Sequence, residues 1–391
     1  MLSFIHAGDV HLGNPFTGLS KDLPNQFSKA IQEAGYQAFD ALIERAVAEQ
    51  VDFVLFPGDL LHGAGRSAKV QATLVRGFLT LQEVGIQVLL SFGNHDYEAF
   101  NTLIESLPEN VHVFGQQVEE KMLRAKDGQS VAFSGFSYAD RAERRDRLAE
   151  FSVKNGQADY EIGLYHGSVG QSGDDYAAFA IQDMLKKGYD YWALGHIHVR
   201  QILYEEKTIA YSGNLQGLNR KEEGPKGALL VRERQGVLQP EFLDLAPVRF
   251  EEVSFDNVSS LVELVQQMKD LRFEKKSFLS VCLTGRIGEE VREAFTRGDL
   301  LEQVQHAMGK ENFWPIHVDL AEVEVNEQPA FASVSFEQAI DETVTSELLQ
   351  AHLSKEVPLE VRDYFNQEEG QAAVRQALQR LFAQGGKLDE N

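Results

Sequence analysis

Leu2-Ser3-Phe4-Ile5 running on to Gly8-Asp9-Val10-His11 decides the fold: a short apolar run stops in a burst of glycine, carboxylate and imidazole. The arrangement recurs. Residues 51–56 lead to Gly58-Asp59, 86–92 to Gly93-Asn94-His95-Asp96, 161–165 to His166-Gly167, and 189–194 to Gly195-His196-Ile197-His198. Runs of this length with flanking glycine read as buried strands. Between them, Phe39, Leu42, Ile43 and Val47, and then Val70, Leu74, Phe78 and Leu81, keep helical spacing. Ile181, Met184 and Leu185 mark another helix, which Gly188 stops. Alternating strand and helix predicts an α/β layered domain over residues 1–245. The polar bursts then fall on loops beyond the carboxyl ends of strands, where such sheets gather their functional groups.

After Ala246-Pro247 the pattern changes. Residues 248–255, 278–284 and 316–325 read as strands, and 257–270 and 289–308 as helices, the first with a possible Ser260/Glu263 capping box. This β-α-β-α-β block has no His-Asp burst, so 246–328 is expected to be a separate small α/β domain. Gln328-Pro329-Ala330 reads as a hinge into a C-terminal helical region, 329–391, with two amphipathic helices. The second puts Val374, Leu378, Leu381 and Phe382 on one stripe, which either packs on the body or docks a partner protein.

Composition narrows the class. The 391 residues are 43% hydrophobic and 25% charged, enough for two or three domains with real cores. The lone cysteine, Cys282, excludes a disulfide framework and a thiolate-cluster zinc site. A formal charge of −23 excludes an all-basic nucleic-acid coat, so a polyanion must be met at a local patch or through bound cations. The first residues are too short an apolar run, and lack the basic residues, for a signal peptide. Nothing approaches the roughly 20 apolar residues of a membrane helix. The expectation is a soluble, cytoplasmic protein with no membrane partner.

Six of the 11 histidines (His11, His62, His95, His166, His196 and His198) lie in or beside the bursts. Apolar packing does not call for carboxylate, amide and imidazole at successive strand ends; a shared cation site does. Asp9 and His11, like His196 and His198, are two apart and share a face of an extended segment. With Asp59, Asn94 and His166 they make seven candidate ligands, too many for one ion that must also keep a water. Two ions sharing Asp59 fit better. Oxygen and nitrogen donors without sulfur favour Mn²⁺, Fe²⁺, Zn²⁺ or Mg²⁺. Such a pair suits phosphoester hydrolysis. His95, next to Asn94, is the candidate proton donor. Asp96 either orients it or caps the loop.

Asp9-x-His11, Gly58-Asp59, Gly93-Asn94-His95-Asp96, His166 and Gly195-His196-x-His198 together resemble the calcineurin-like metallophosphoesterase superfamily. Within it, Gly58-Asp59-Leu60-Leu61-His62, Gly135-Phe136-Ser137-Tyr138 and Tyr211-Ser212-Gly213-Asn214-Leu215-Gln216 are most similar to SbcD-type DNA repair exonucleases, in particular the YhaO-like bacterial branch. The Gly-Asp-x-x-Asp-Arg-Gly block of phosphoprotein phosphatases is absent. The resemblance implies an α/β/β/α sandwich carrying two ions, preferably Mn²⁺. One would be held by Asp9, His11, Asp59 and His198, the other by Asp59, Asn94, His166 and His196. It gives His62 a role in placing the scissile phosphate and makes 248–325 a cap. It also implies an SbcC-like coiled-coil ATPase docking at the tail, and a homodimer.

DNA needs local cations. Arg141, Arg144, Arg145 and Arg147 are expected on a helix, as a solvated face or a DNA contact; Arg220 and Lys221 are the better candidates for phosphate contacts. The leading expectation is therefore a Mn²⁺-dependent DNA exonuclease or endonuclease. Its rival is the same chemistry on a small nucleotide or cyclic nucleotide, which the acidic composition favours. A non-catalytic scaffold with a structural metal is the third reading, and a bridging carboxylate beside an unligated histidine is the wrong design for it.

Overall fold

The computed structural model describes residues 1–16, 19, 23–63, 67–171, 173–309, 311–321, 345, 364–365 and 367–383. The chain divides into two units, Met1–Ala321 and Glu322–Asn391. In the first unit, two six-stranded sheets carry the expected bursts. One runs β12 (Val237–Asp244), β11 (Gly227–Arg234), β1 (Ser3–His6), β2 (Phe53–Pro57), β3 (Gln87–Ser91), β4 (Val111–Val113). Its strands β1 to β4 are parallel, and β11 joins β1 antiparallel, pairing Ile5 with Leu230. The other runs β5 (Glu119–Arg124), β6 (Ser130–Gly135), β7 (Tyr160–His166), β8 (Tyr191–Gly195), β10 (Thr208–Tyr211), β9 (Gln201–Tyr204). Here β6, β7, β8 and β10 are parallel.

The layers follow from which side chains each strand turns inward. Between the sheets, Phe4, Phe53, Leu55 and Leu89 meet Phe133, Ile162, Leu164 and Tyr191 in one core. Phe53 and Phe133 cross edge to face with centroids 4.9 Å apart. The outer face of the first sheet packs Val54, Phe56, Val88 and Leu90 against α1 (Asn25–Ala48) and α2 (Ala68–Glu83) through Phe39, Leu42, Leu74 and Phe78. The second sheet's outer face is covered by Leu148 and Phe151 around α4 (Arg147–Glu150) and by Met184 of α5 (Ile181–Lys187). With both faces covered, the inner strands are mostly apolar, as parallel sheets favour. This is the α/β/β/α sandwich. A short α3 (Phe100–Leu103) follows the third burst.

A third sheet, β13 (Val248–Asp256), β14 (Lys276–Thr284) and β15 (Phe313–Leu320), is wholly parallel. It packs on α6 (Leu261–Lys269), α7 (Glu289–Arg297) and α8 (Leu300–Ala307) with its own core. Its other face meets α1, where Val248, Phe250, Phe278 and Trp314 surround Phe27 and Ile31.

Three expectations change in detail. The helix expected over 289–308 is two helices, because Gly298 takes a left-handed conformation (φ 80°) and ends α7. The arginines expected on one helix lie mostly on a loop, with only Arg147 inside the one-turn α4. The capping box is split: Ser260 accepts from the Glu263 N–H, while the Glu263 carboxylate reaches Ser259 rather than Ser260. Gly188 ends α5 as expected (φ 82°). In the second unit, α9 (Glu368–Ala383) covers the expected last helix. The hinge at 328–330, the strand residues 322–325, the first tail helix and the side chains of Leu378, Leu381 and Phe382 lie outside the described residues. Among the described residues no helix is long and apolar enough to cross a membrane.

Candidate metal centre

All five bursts converge where the carboxyl ends of β1, β2 and β3 face those of β7 and β8. The chain bends hard to make this possible. Asp9, His11, Asp59 and His196 all have positive φ (49°, 47°, 51° and 100°), a conformation costing non-glycine residues on the order of 1–3 kcal/mol each. The glycines beside them make room. A Cβ on Gly58 would lie 2.2 Å from His166 Nδ1, and one on Gly93 would lie 2.3 Å from Asp59 Oδ1. The motif glycines are therefore space for the ligands.

The seven predicted ligands come together in a cluster that is almost all acceptors. The Asp9 carboxylate accepts the His196 backbone N–H at 2.9 Å. Asp59 accepts the His95 backbone N–H at 2.9 Å on Oδ1, and its Oδ2 stands 3.5 Å from His166 Nε2 and 3.8 Å from His11 Nε2. Asn94 Oδ1 faces two imidazoles, His166 Nε2 at 2.9 Å and His196 Nδ1 at 3.2 Å. His11 Nε2 faces His198 Nε2 at 3.0 Å.

Hydrogen bonds behind the cluster fix which nitrogens are bare. His166 Nδ1–H donates to Pro57 O at 3.0 Å, so its Nε2 lone pair points at Asn94 and Asp59. His198 Nδ1–H donates to the Glu222 carboxylate at 2.9 Å, which turns the Nε2 lone pair toward His11. Lone pairs facing lone pairs are repulsive unless a cation lies among them. The donor set therefore fits hard or borderline divalent ions.

Electrostatics agree. Burial, helped by the charge of Asp59, pushes Asp9 up to about 7, and burial pushes Asp59 up to about 6 against the His95 N–H and the surrounding imidazoles. Burial holds His166 and His196 down to about 3, and His11 well below the usual range. Burial also lowers His198, but its bond to Glu222 and the charge of Asp9 outweigh this and leave it raised. Buried carboxylates pushed toward neutrality beside neutral imidazoles form a site that cations would stabilise.

His62 and His95 stand at the mouth, both exposed, with rings stacked at 6.0 Å. His95 also meets the His11 ring edge to face at 4.9 Å. Asn14 Nδ2 approaches His62 Nδ1 at 3.2 Å, leaving Nε2–H free to donate outward. Burial lowers both imidazoles, and the charge of Asp59 opposes this in each. Asp96 resolves toward the loop: it accepts the N–H groups of Leu61 (3.0 Å) and Gly93 (2.7 Å), holding the second burst to the third.

The predicted basic residues separate. Arg220 and Lys221 are exposed on the loop before β11. Arg144 pairs with Asp175 and Arg145 with Glu143, while buried Arg147 donates to Gln116 O and Glu150. Arg141 is near enough for its charge to lower His95. Sequence reasoning missed Glu222, the hub of this region, which takes hydrogen bonds from His198, Asn214, Asn219 and the Leu218 N–H. The available signal was its place just after the two residues chosen for their charge.

A family model described as calcineurin-like phosphoesterase matches residues 2–200. The chain is 36% identical over 396 residues to a Bacillus subtilis protein described as the uncharacterized metallophosphoesterase YhaO, with 96% of each chain covered. It is 24% identical over 403 residues to the DNA double-strand break repair protein Mre11 of Sulfurisphaera tokodaii, covering 97% of this chain and 96% of that one. It is also 24% identical over 262 residues to Mre11 of Methanopyrus kandleri, covering 61% and 56%.

Proposed function

Because the chain belongs to the calcineurin-like phosphoesterase family, and so is a metal-dependent hydrolase, we propose that its substrate is DNA and its reaction two-metal phosphodiester cleavage supported by Mn²⁺. The observation that carries the two-metal reading is Asp59, whose Oδ2 lies 3.8 Å from His11 on one side and 3.5 Å from His166 on the other. Asp9, His11, Asp59 and His198 would hold one ion, and Asp59, Asn94, His166 and His196 the other. The DNA reading is supported by the likeness to proteins described as Mre11 and by His62 three residues after Asp59.

Two divalent ions held there would supply Lewis-acid activation of water at neutral pH and charge stabilisation at the phosphoryl group. The chain's own groups do the rest. His62 Nε2–H donates to a non-bridging phosphate oxygen and sets the diester in line. His95 delivers a proton to the leaving alkoxide. Asp96 keeps the loop that carries His95 at a fixed height. Glu222 holds the His198 ring to its ligand face.

By the same kinship, residues 329–391 would dock a coiled-coil ATPase and the protein would form a homodimer in the cytoplasm. A charge of −23 favours a second reading, in which the same chemistry serves a small nucleotide or cyclic nucleotide. Turnover of linear DNA, a cyclic nucleotide, a mononucleotide and bis(p-nitrophenyl) phosphate in Mn²⁺ separates the two. The proposal expects DNA to be cut in preference to the small natural nucleotides. Turnover of a nucleotide with intact DNA overturns it.

A further inference from the structure

A cavity of about 330 Å³ lies behind the His198 loop, with Arg200, Lys221 and Lys226 on its wall. It is close to the metal centre but not part of it. Glu222, which also lines it, bonds the His198 ring, and Lys226 Nζ donates to His198 O at 3.2 Å. Three cations face two carboxylates, Glu222 and Glu223, in a protein whose overall charge is −23. Glu222 stays ionised among its donors, so three cations against two carboxylates leave the wall one positive charge in excess.

One buried cation on this wall has no anion hydrogen-bonded to it among the described residues. Lys226 is only 8% exposed, yet among the described residues its ammonium has one hydrogen bond, to a neutral carbonyl. A buried ammonium with spare donors is costly unless an anion reaches it. At the cavity's side, the Arg200 guanidinium lies over the Phe242 ring at 3.7 Å, a flat cationic shelf of the kind on which bases stack.

We propose that this cavity binds a nucleotide phosphate, with Lys226, Lys221 and Arg200 on the oxyanion and the Arg200–Phe242 shelf under the base. The inference rests on the nucleic-acid reading above for its preferred source, a phosphate of the substrate strand away from the scissile one. A free mononucleotide has the same chemistry and is the other source. Either occupant would touch the metal centre through Lys226 and His198 O.

The test compares wild type with Arg200→Gln/Lys221→Gln, both exposed positions, and with Lys226→Met, with Lys226→Arg as the charge-preserving control should Met fail to fold. Anisotropy of a labelled oligothymidylate is followed against salt in Ca²⁺, alongside the thermal shift given by dTMP in chelator. If the strand fills the cavity, the double variant binds the oligonucleotide about tenfold more weakly. Its log–log salt slope shrinks by about 1.4, at about 0.7 per lost contact on a single strand. Its kcat/KM falls further on the oligonucleotide than on bis(p-nitrophenyl) phosphate. If a free nucleotide fills it, the variants lose the dTMP shift and keep oligonucleotide affinity, which supports the site and assigns the other source. A protein that cleaves no DNA yet loses its dTMP shift in the variants keeps this inference and loses the DNA reading. Variants that match wild type in both measurements overturn the inference.

Discussion

His11 Nε2 and His198 Nε2 lie 3.0 Å apart, and His198 is turned to that position by its Nδ1 bond to Glu222 at 2.9 Å. Two ring nitrogens brought this close by the fold suit a cation between them. Glu222 therefore acts through His198 as a positioning residue. Carboxylates behind ligand histidines contribute about 10–100-fold to metal affinity or activity. Glu222→Ala should weaken Mn²⁺ binding by that factor in calorimetric titration, and Glu222→Gln, which keeps an acceptor, should recover part of it. Unchanged Mn²⁺ affinity in the Ala variant would remove Glu222 from the centre.

His95 is assigned to the proton, and leaving-group chemistry isolates that role. A DNA alkoxide needs protonation as it departs, whereas p-nitrophenolate is stable without it. His95→Ala should lower DNA cleavage by about 10²–10⁴-fold, the usual worth of a general acid, and lower turnover of bis(p-nitrophenyl) phosphate far less. Equal losses on both substrates would make His95 a binding group and not an acid.

How much of this could be read beforehand depends on where each group sits. Asp9, His11, Asp59, Asn94, His166, His196 and His198 were legible because each stands at the end of a strand, so parallel strands collect them at one edge without further information. Glu222 was not, since its link to His198 spans 24 residues, through β9, β10 and the loop that follows them. Its neighbours Arg220 and Lys221 drew attention by sign of charge, which says nothing of direction. Arg147 read as one of several surface arginines. Only the folded chain, by bringing Gln116 O and Glu150 to it, shows why its guanidinium is buried. The break between α7 and α8 rests on one glycine adopting φ 80°, which helical periodicity does not register.

A motif glycine and a helix glycine make predictions of opposite sign. At Gly58, φ is 92° and a Cβ would lie 2.2 Å from His166 Nδ1, the atom that donates to Pro57 O. Gly58→Ala must push His166 off its partner, so Mn²⁺ binding should be lost and the urea midpoint should drop. Gly35, inside α1, has nothing within 4 Å of a built Cβ. Gly35→Ala should stabilise by about 0.5–1 kcal/mol with Mn²⁺ affinity unchanged. A Gly58→Ala protein with wild-type metal affinity would show that His166 has room to move.

Acid sensitivity should trace in part to His6, which ends β1 beneath the centre. Its ring is wholly buried, with Nε2–H donating to Leu194 O and Nδ1 accepting from Tyr191, both at 3.0 Å. Burial holds it down to about 4, although the Leu194 bond opposes this. The folded chain thus keeps His6 neutral while the unfolded chain protonates it near 6.5. Between those values the unfolded state binds more protons, so stability is full above about 6.5 and falls as pH drops toward 4. The gap corresponds to about 3 kcal/mol. His6→Gln removes this dependence but leaves Asp9, Asp59, His166 and His196 to titrate in both proteins. The difference between wild-type and variant urea stabilities, taken in chelator from pH 7 to 4, should therefore shift by about that amount in the variant's favour. A flat difference across that range would mean that His6 finds a way to carry its proton inside the fold.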